Sequence, residues 1–308
     1  MGEQLVGCGF NEIMNNSLTK LSYYDGSKIE LNSYAPDTTV RVMNPLSADL
    51  GVMRQSLLFG GLESISRNVN RKHANLRLFE FGNCYHYAAS QKDDEKPIRA
   101  YAQEQHLGLW LTGKHIQGSW SHADQDSSFY ELKAYVDNVF SRIGIKKATT
   151  VTESCDNSIF DKALCIRNRG GKLLAEVGIV ARKVLKLFDI DQPVFFADLQ
   201  WDALMKASKN NSITFSEITK FPSVSRDLAL LVDKTVEFQQ IEQIARQSEK
   251  KLLKSVELFD VYEGKHLPAG KKSYAVNFIL QDEQHTLNDK QIDAIMQKLI
   301  ANLKRQLG

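Results

Sequence analysis

The sequence predicts an α+β chain: a large antiparallel sheet with flanking helices, followed by a smaller domain ordered β-α-β-β-α. Three observations carry this. The chain has 308 residues, room for about two domains. Within 1–208, strand-like segments are joined by hairpin signals rather than by repeated βαβ units. Within 216–308, segments of two-residue and 3.6-residue hydrophobic period follow one another cleanly. Between the two parts lies KASKNNSITFSEITK, residues 206–220, polar and without strong period, which reads as a connector.

The first part opens with a short helix ending at Gly7-Gly9, then a strand over Glu12–Ser17. A variable loop leads to a strand at Thr39–Met43 and a turn at Asn44-Pro45-Leu46-Ser47. Residues Met53 to Lys72 read as a helix, with Leu57, Leu58, Leu62, Ile65 and Val69 at three- and four-residue spacing. Gly60-Gly61 weakens that helix by roughly 1 kcal/mol per glycine. Strands follow at Arg77–Phe81, Cys84–Tyr87 and Leu107–Leu111, with a charged loop, SQKDDEK, between the second and third. Tyr130–Ile143 is an amphipathic helix. Ala163–Arg167 and Lys172–Ile179 flank Asn168-Arg169-Gly170-Gly171, a hairpin signal. Pro193–Leu199 is a last strand before a short helix.

In the second part, strand Arg226–Val232 precedes a helix with Phe238, Ile241, Ile244 and Ala245 as its stripe. Strands Val256–Tyr262 and Ser273–Gln281 are joined by a Gly264–Gly270 loop. In the second of them Tyr274, Val276, Phe278 and Leu280 alternate with Ser273, Ala275, Asn277 and Ile279. The final helix has Thr286 as its expected N-cap, with Asp289 three residues on. β-α-β-β-α lacks only a last strand to be a ferredoxin-like, split βαβ domain, which covers one sheet face with helices and leaves the other open.

Composition excludes several functions. Hydrophobic residues are 43% and charged residues 25%, an ordinary globular mixture. With 39 basic and 37 acidic residues the net charge is +2, which rules out coating nucleic acid by bulk charge. Cys8, Cys84, Cys155 and Cys165 form no C-x-x-C, so neither a disulfide framework nor a zinc knuckle is expected. No apolar run approaches the ~18 residues of a membrane span, and no leader pattern opens the sequence. A reducing, cytoplasmic setting is the expectation.

No catalytic constellation stands out. Gly264-KHLPA-Gly270-Lys271-Lys272-Ser273 has phosphate-loop spacing wrong by one and joins two strands, so it reads as a basic hairpin loop. His115 and His122 lie in a Gly-Ser-Trp stretch and read as solvated loop histidines rather than a metal site. There is no HExxH, G-x-S-x-G or GxGxxG.

Gly9-Phe10-Asn11-Glu12-Ile13 resembles motif 1 of the class II aminoacyl-tRNA synthetases, although Asn16 stands where that motif has proline. The string Asn44-Pro45-Leu46-Ser47, Met53-Arg54-Gln55-Ser56-Leu57-Leu58, Gly61-Leu62, Asn68-x-Asn70-Arg71 and Leu78-Phe79-Glu80-Phe81-Gly82 is similar to the catalytic-like core of the bacterial phenylalanyl-tRNA synthetase beta subunit. Phe221-Pro222-x-Val224-x-Arg226-Asp227-Leu228-Ala229, Phe259-Asp260-x-Tyr262-x-Gly264, Gly270-Lys271-Lys272-Ser273 and Thr286-Leu287-x-Asp289 resemble its C-terminal anticodon-binding domain. The resemblance implies an antiparallel class II synthetase-like sheet over 1–208 and a ferredoxin-like domain over 216–308. It also implies a fragment: the family has further domains upstream, and a closing strand with an arginine where this sequence stops at Leu307-Gly308. Phe160-Asp161-Lys162-Ala163 departs from the family's histidine-proline-glycine-like run.

What the resemblance implies for function is a non-catalytic part of a phenylalanine–tRNA ligase. Arg77 and Glu80 are one place too far apart for motif 2, which puts them on opposite strand faces. Pro193–Leu199 has neither the glycine nor the arginine of motif 3. No catalytic residue and no metal site is therefore expected here; ATP and magnesium belong to the whole enzyme. The implied partners are the alpha subunit in an (αβ)₂ assembly, met through Gly9–Ser17 and Met53–Arg71, and tRNA(Phe). For the anticodon, Asp260 offers acceptors to a guanine edge, and Tyr262 offers a stacking platform worth roughly 1–3 kcal/mol per base. Ser273 and Ala229 line the same face, and Arg226, Lys271 and Lys272 meet phosphates. Val256 and Leu258 share the parity of Asp260, so that arrangement needs a bulge between them. The competing readings are a metabolite-sensing or general RNA-binding module and an active stand-alone ligase.

Overall fold

In the computed structural model of this chain, residues 1–26, 31, 34, 36–93, 95–209, 215, 217–264 and 267–307 are described. Residues 210–214 and 216 of the expected connector, residue 94 of the charged loop and residues 265–266 of the hairpin loop lie outside them. The chain divides between residues 213 and 214 into two units.

Helix α1 (Gly2–Gly7) leads to β1 (Asn11–Glu12), α2 (Leu58–Val69), β2 (Leu76–Tyr87) and β3 (Tyr101–Thr112). Then come α3 (Phe129–Arg142), β4 (Thr150–Ser154), β5 (Phe160–Asn168), β6 (Leu173–Val180), α4 (Arg182–Lys186), β7 (Val194–Gln200) and α5 (Trp201–Ser208). One seven-stranded sheet runs β1-β2-β3-β7-β6-β5-β4. Only the β1–β2 pair is parallel; the remaining pairs are antiparallel, as expected for the first part.

Both faces of this sheet are covered. On one, Leu5 of α1, Leu132, Val136 and Val139 of α3 and Leu204 of α5 pack on Phe79, Leu107, Leu109, Leu111, Ala197 and Leu199. On the other, Leu58, Phe59, Leu62 and Ile65 of α2 and Val184 of α4 pack on Leu78, Trp110, Phe196 and Val180. Central strands buried on both sides carry apolar residues at both parities, which is why Leu107–Leu111 reads as a continuous apolar run. The two glycines that weaken α2 on paper have a use. A Cβ at Gly61 would collide with the Trp110 indole, so the missing side chain lets helix and sheet close around the ring. Gly82 likewise makes room for the Arg54 guanidinium, and the two short strands expected around it are one continuous β2.

Several element boundaries differ from expectation. The strand over Glu12–Ser17 stops at Glu12, because Asn15 turns both its backbone N–H (3.2 Å) and its side-chain amide (2.7 Å) to the Glu80 carboxylate. The helix expected from Met53 begins at Leu58, since Arg54 and Gln55 spend their polar groups on other segments. Thr39–Met43 makes only an isolated bridge, Arg41 to Val52. The thiol expectation is corrected too: Cys155 and Cys165 are joined as a disulfide, their Cα atoms 5.1 Å apart. The β4–β5 turn returns the chain so that the Cys155 N–H donates to the Ala163 carbonyl, which places the two cysteines side by side.

The second unit contains β8 (Val224–Asp233), α6 (Phe238–Ser248), β9 (Leu253–Tyr262), β10 (Lys271–Leu280) and α7 (Asp289–Leu307), with sheet order β8-β10-β9. Ile241 and Ile244 of α6, with Ile292, Ile295, Leu299 and Leu303 of α7, bury one sheet face through Val232, Tyr274, Val276, Phe278 and Leu280. The cap of α7 is not Thr286. Asn288 accepts from the Gln291 N–H (2.9 Å), and Gln291 accepts from the Asn288 N–H (3.1 Å), a reciprocal box two residues later than expected. Among the described residues, no helix is long and apolar enough to cross a membrane.

Candidate nucleic-acid interface

The helix-free face of the second sheet is set by strand parity. On β8 it carries Ser225, Asp227, Ala229, Leu231 and Asp233, and on β10 Lys271, Ser273, Ala275, Asn277 and Ile279. On β9, regular alternation would place Asp260 with Val256 and Leu258, toward the helices. The register shifts between Leu258 and Asp260: Leu258 pairs with Val276, but Asp260 pairs with Ala275. Phe259 is the extra residue of a β-bulge, and after it the side chains change face. Val256 therefore stays in the core while Asp260 and Tyr262 turn outward.

Two transverse rows result. Asp260, Ala275 and Ala229 lie side by side across the three strands, as do Tyr262, Ser273 and Leu231. Small side chains at Ala229, Ala275 and Ser273 form a floor. Tyr262 (43% exposed) and Leu231 (50% exposed) stand at its two sides. Gly264 has no side chain where the Tyr262 phenol lies, so the ring rests against the backbone of its own strand's exit. Beyond the rows, Asn277 donates to Ser225 Oγ (2.5 Å) and Asp227 Oδ1 (2.6 Å). Lys271 pairs with Asp233 at 2.9 Å at the opposite end.

Of the seven residues proposed from sequence, Asp260, Tyr262, Ser273, Ala229 and Lys271 thus share one face. Two do not. Arg226 has the parity of Leu228, on the helix side; its guanidinium donates to the Ser225 carbonyl and lies 3.9 Å from Asp289 at the start of α7. Lys272 is also on the helix side, 9% exposed, with its ammonium 4.7 Å from the centre of the Tyr274 ring. Both corrections follow from the two-residue period of a strand: Lys271 and Lys272 are neighbours in sequence and face opposite ways. Leu231 and Ala275, not singled out from sequence, belong to the same rows; strand parity alone identifies them.

In the first unit the structure places the two residues compared with motif 2 apart. Arg77 and Glu80 point to opposite faces. Arg77 bonds the Cys8 carbonyl, His115 and, at 3.5 Å, Glu131. His115 is thereby a structural partner rather than a solvated loop residue. Glu80, 1% exposed, takes Arg54 Nη1 at 2.6 Å. The strand at the place of motif 3 carries Asp198, which holds His106 Nδ1 at 2.7 Å. Burial opposes a charge on His106, but the Asp198 carboxylate outweighs it and raises the imidazole well above the ordinary histidine value. Burial, reinforced by Asp198, raises the neighbouring Glu176 carboxyl to about 6. Cys155, Cys165 and Glu176 are the one grouping of three metal-ligand side chains among the described residues, and its two sulfurs are bonded to each other.

Comparison with known proteins agrees with both halves. The profile described as phenylalanyl tRNA synthetase beta chain CLM domain matches residues 1–201, and that of the ferredoxin-fold anticodon binding domain matches residues 219–308. Over all 308 residues the chain is 58% identical to a phenylalanine–tRNA ligase beta subunit of Bacteroides fragilis and 51% identical to one of Porphyromonas gingivalis. It is 34% identical over 305 residues to a beta subunit of Syntrophotalea carbinolica. The chain spans about 37% of the length of each of these relatives.

Proposed function

Because the chain belongs to the phenylalanyl-tRNA synthetase beta-chain family, we propose that it is a non-catalytic part of a phenylalanine–tRNA ligase that binds the anticodon of tRNA(Phe) and an alpha subunit. The observation that carries this is the pair of rows on the open sheet face, Asp260-Ala275-Ala229 and Tyr262-Ser273-Leu231. A flat base needs a floor of small side chains, an aromatic face and an acceptor in one plane. A protein carboxylate accepts from base N–H groups, and an aromatic ring gives roughly 1–3 kcal/mol per stacked base. Lys271, already at the rim, supplies a cation for a backbone phosphate.

The test is a titration of a phenylalanine-tRNA anticodon stem-loop with the chain and its Tyr262→Ala and Asp260→Ala forms. Tyr262→Ala weakens binding by about 1–3 kcal/mol, some fivefold to more than a hundredfold. Affinity unchanged by both substitutions removes this site, and ligand-induced stabilisation by a small metabolite without RNA affinity favours a sensing module instead.

The catalytic work of the ligase, with ATP and magnesium, is assigned to the alpha subunit in an (αβ)₂ assembly in the cytoplasm. The stretch Gly9–Ser17 supports such a contact: β1 is an edge strand, and Met14 beyond it is 94% exposed. Met53–Arg71 supports it less, because the apolar stripe of α2 is spent on its own unit. Co-purification with a cognate alpha subunit tests the assembly, and Met14→Asp weakens it if Gly9–Ser17 is the contact.

A further inference from the structure

Nothing in tRNA recognition uses the cysteines at the far edge of the first sheet. Cys155 follows β4, the edge strand, and is half-buried; Cys165 lies within β5 and is buried. Their Cα separation of 5.1 Å is inside the span a disulfide bridges. On β6, Glu176 is the direct partner of Cys165 in the ladder. Its Oε1 lies 3.2 Å from Cys155 Sγ and 3.7 Å from Cys165 Sγ, while the Asn157 amide donates to its Oε2 at 3.2 Å. A bonded sulfur carries no proton, so in the disulfide these are contacts; in the dithiol each is an S–H to carboxylate approach. Two sulfurs and one oriented carboxylate, reachable from solvent through Cys155, make a site rather than a pair of structural thiols.

We propose that Cys155 and Cys165 form a reversible dithiol–disulfide couple that exchanges with low-molecular-weight disulfides of the glutathione class, with Cys155 the attacking sulfur and Glu176 the acceptor of its proton. Cys155 is the accessible sulfur, and the thiolate is the nucleophile. It loses its proton to Glu176 and attacks the disulfide RS–SR, whose S–S bond breaks as a Cys155–SR bond forms. The departing RS⁻ takes the proton from Glu176. The Cys165 thiol then gives its proton to the same carboxylate and attacks the Cys155 sulfur, and the second RS⁻ leaves as RSH. In sum, two protein S–H groups and one RSSR become one protein disulfide and two RSH, and two electrons pass from the protein sulfurs to the reagent. Raising of the Glu176 carboxyl to about 6 by burial fits a group that both takes and returns a proton. A metal ion is the competing occupant of these ligands. The structure disfavours it, because the sulfurs are spent on each other and Asp198, the ladder partner of Glu176, is already bonded to His106.

The experiment equilibrates the full chain in glutathione buffers of graded ratio, quenches with acid, denatures, alkylates and maps the cysteines by mass. The expected result is that Cys155 and Cys165 lose alkylation together, as a linked species lighter by two hydrogens, with the midpoint following the square of the thiol concentration over that of the disulfide. Cys84, buried, stays fully alkylable in the same buffers. Cys155→Ser leaves Cys165 alkylable even at about tenfold more oxidising ratios, and Glu176→Gln slows pair formation at least about threefold. Independent oxidation of the two cysteines, or an unchanged rate in Glu176→Gln, overturns the proposal. So does one equivalent of zinc, offered to the chelator-stripped dithiol chain, that binds and protects both cysteines from alkylation.

Discussion

Arg54 is the residue whose loss the first unit tolerates least. Its Nη1 meets Glu80 at 2.6 Å and the Asn15 carbonyl at 3.3 Å, and its Nε donates to the Asn83 carbonyl at 2.9 Å. Asn15 closes the network on Glu80, and Ser64 of α2 donates to Asn15 at 2.9 Å. Four segments distant in sequence therefore share one buried charge pair. In Arg54→Met the flexible apolar chain fills the space but leaves a carboxylate that is 1% exposed without its cation, and two carbonyls without a donor. Removing one partner of a buried pair costs about 3–5 kcal/mol. With a urea slope of about 2 kcal/mol/M, the midpoint falls by roughly 1.5–2.5 M. The three tryptophans of the chain, Trp110, Trp120 and Trp201, all lie in the first unit, so their fluorescence reports that unit's unfolding alone. In a double-mutant cycle, Arg54→Met with Glu80→Gln costs less than the sum of the singles by more than about 1.5 kcal/mol, because the second change removes the stranded charge. An Arg54→Met loss below about 1 kcal/mol, or strict additivity, refutes this account of the network.

Gly61→Ala places a methyl in the Trp110 indole and lowers first-unit stability by about 1–3 kcal/mol despite alanine's better helix propensity, measured by the same fluorescence melt. Lys271→Ala lowers the salt dependence of anticodon stem-loop binding by about one counterion, whereas Lys272→Met leaves that slope unchanged; equal slopes for both variants contradict the face assignment. Glu176 makes stability pH-dependent in a defined direction. Below about 4.5 both folded and unfolded chains hold its proton, and between 4.5 and about 6 only the folded chain does, so stability falls as pH rises through that window. Glu176→Gln removes this fall and is more stable at pH 7 by up to roughly 2 kcal/mol, the free-energy equivalent of the gap between 4.5 and about 6; superimposable pH–stability curves for the two proteins contradict it.

Strongly periodic segments were legible without a structure. The stripes of α2, α3, α6 and α7, the Asn168–Gly171 hairpin and the alternation of β10 all stand where their patterns place them. The paired opposite-facing positions of Arg77 and Glu80 followed from counting residues along a strand. What sequence could not supply was long-range pairing. Asn15 leaves its strand for a carboxylate 65 residues away, and the disulfide depends on how the β4–β5 hairpin closes. Gly61 and Gly82 read as local weaknesses, although each is a receptacle for a side chain from another segment. At the open sheet face, Lys271 and Lys272 read as one basic loop, and only the strand's extension to Lys271 assigns them to opposite sides. The need for a bulge near Asp260 was visible from parity; its position at Phe259 was not.

That bulge acts like a frame marker within β9. Before it the even-numbered side chains Val256 and Leu258 are addressed to the helices, and after it the even-numbered Asp260 and Tyr262 to the open face, so the outer rows are indexed by a single supernumerary residue. With Phe259 present, pairing it into the ladder would turn Asp260 and Tyr262 toward the apolar interior, whereas deleting it leaves Leu258 inward and Asp260 outward on a regular strand, so the rows survive. What holds the rows is thus the ladder's omission of Phe259, not the number of residues in the segment. A chain one residue shorter here presents the same open surface on a flatter strand, because the bulge supplies local twist and not the face.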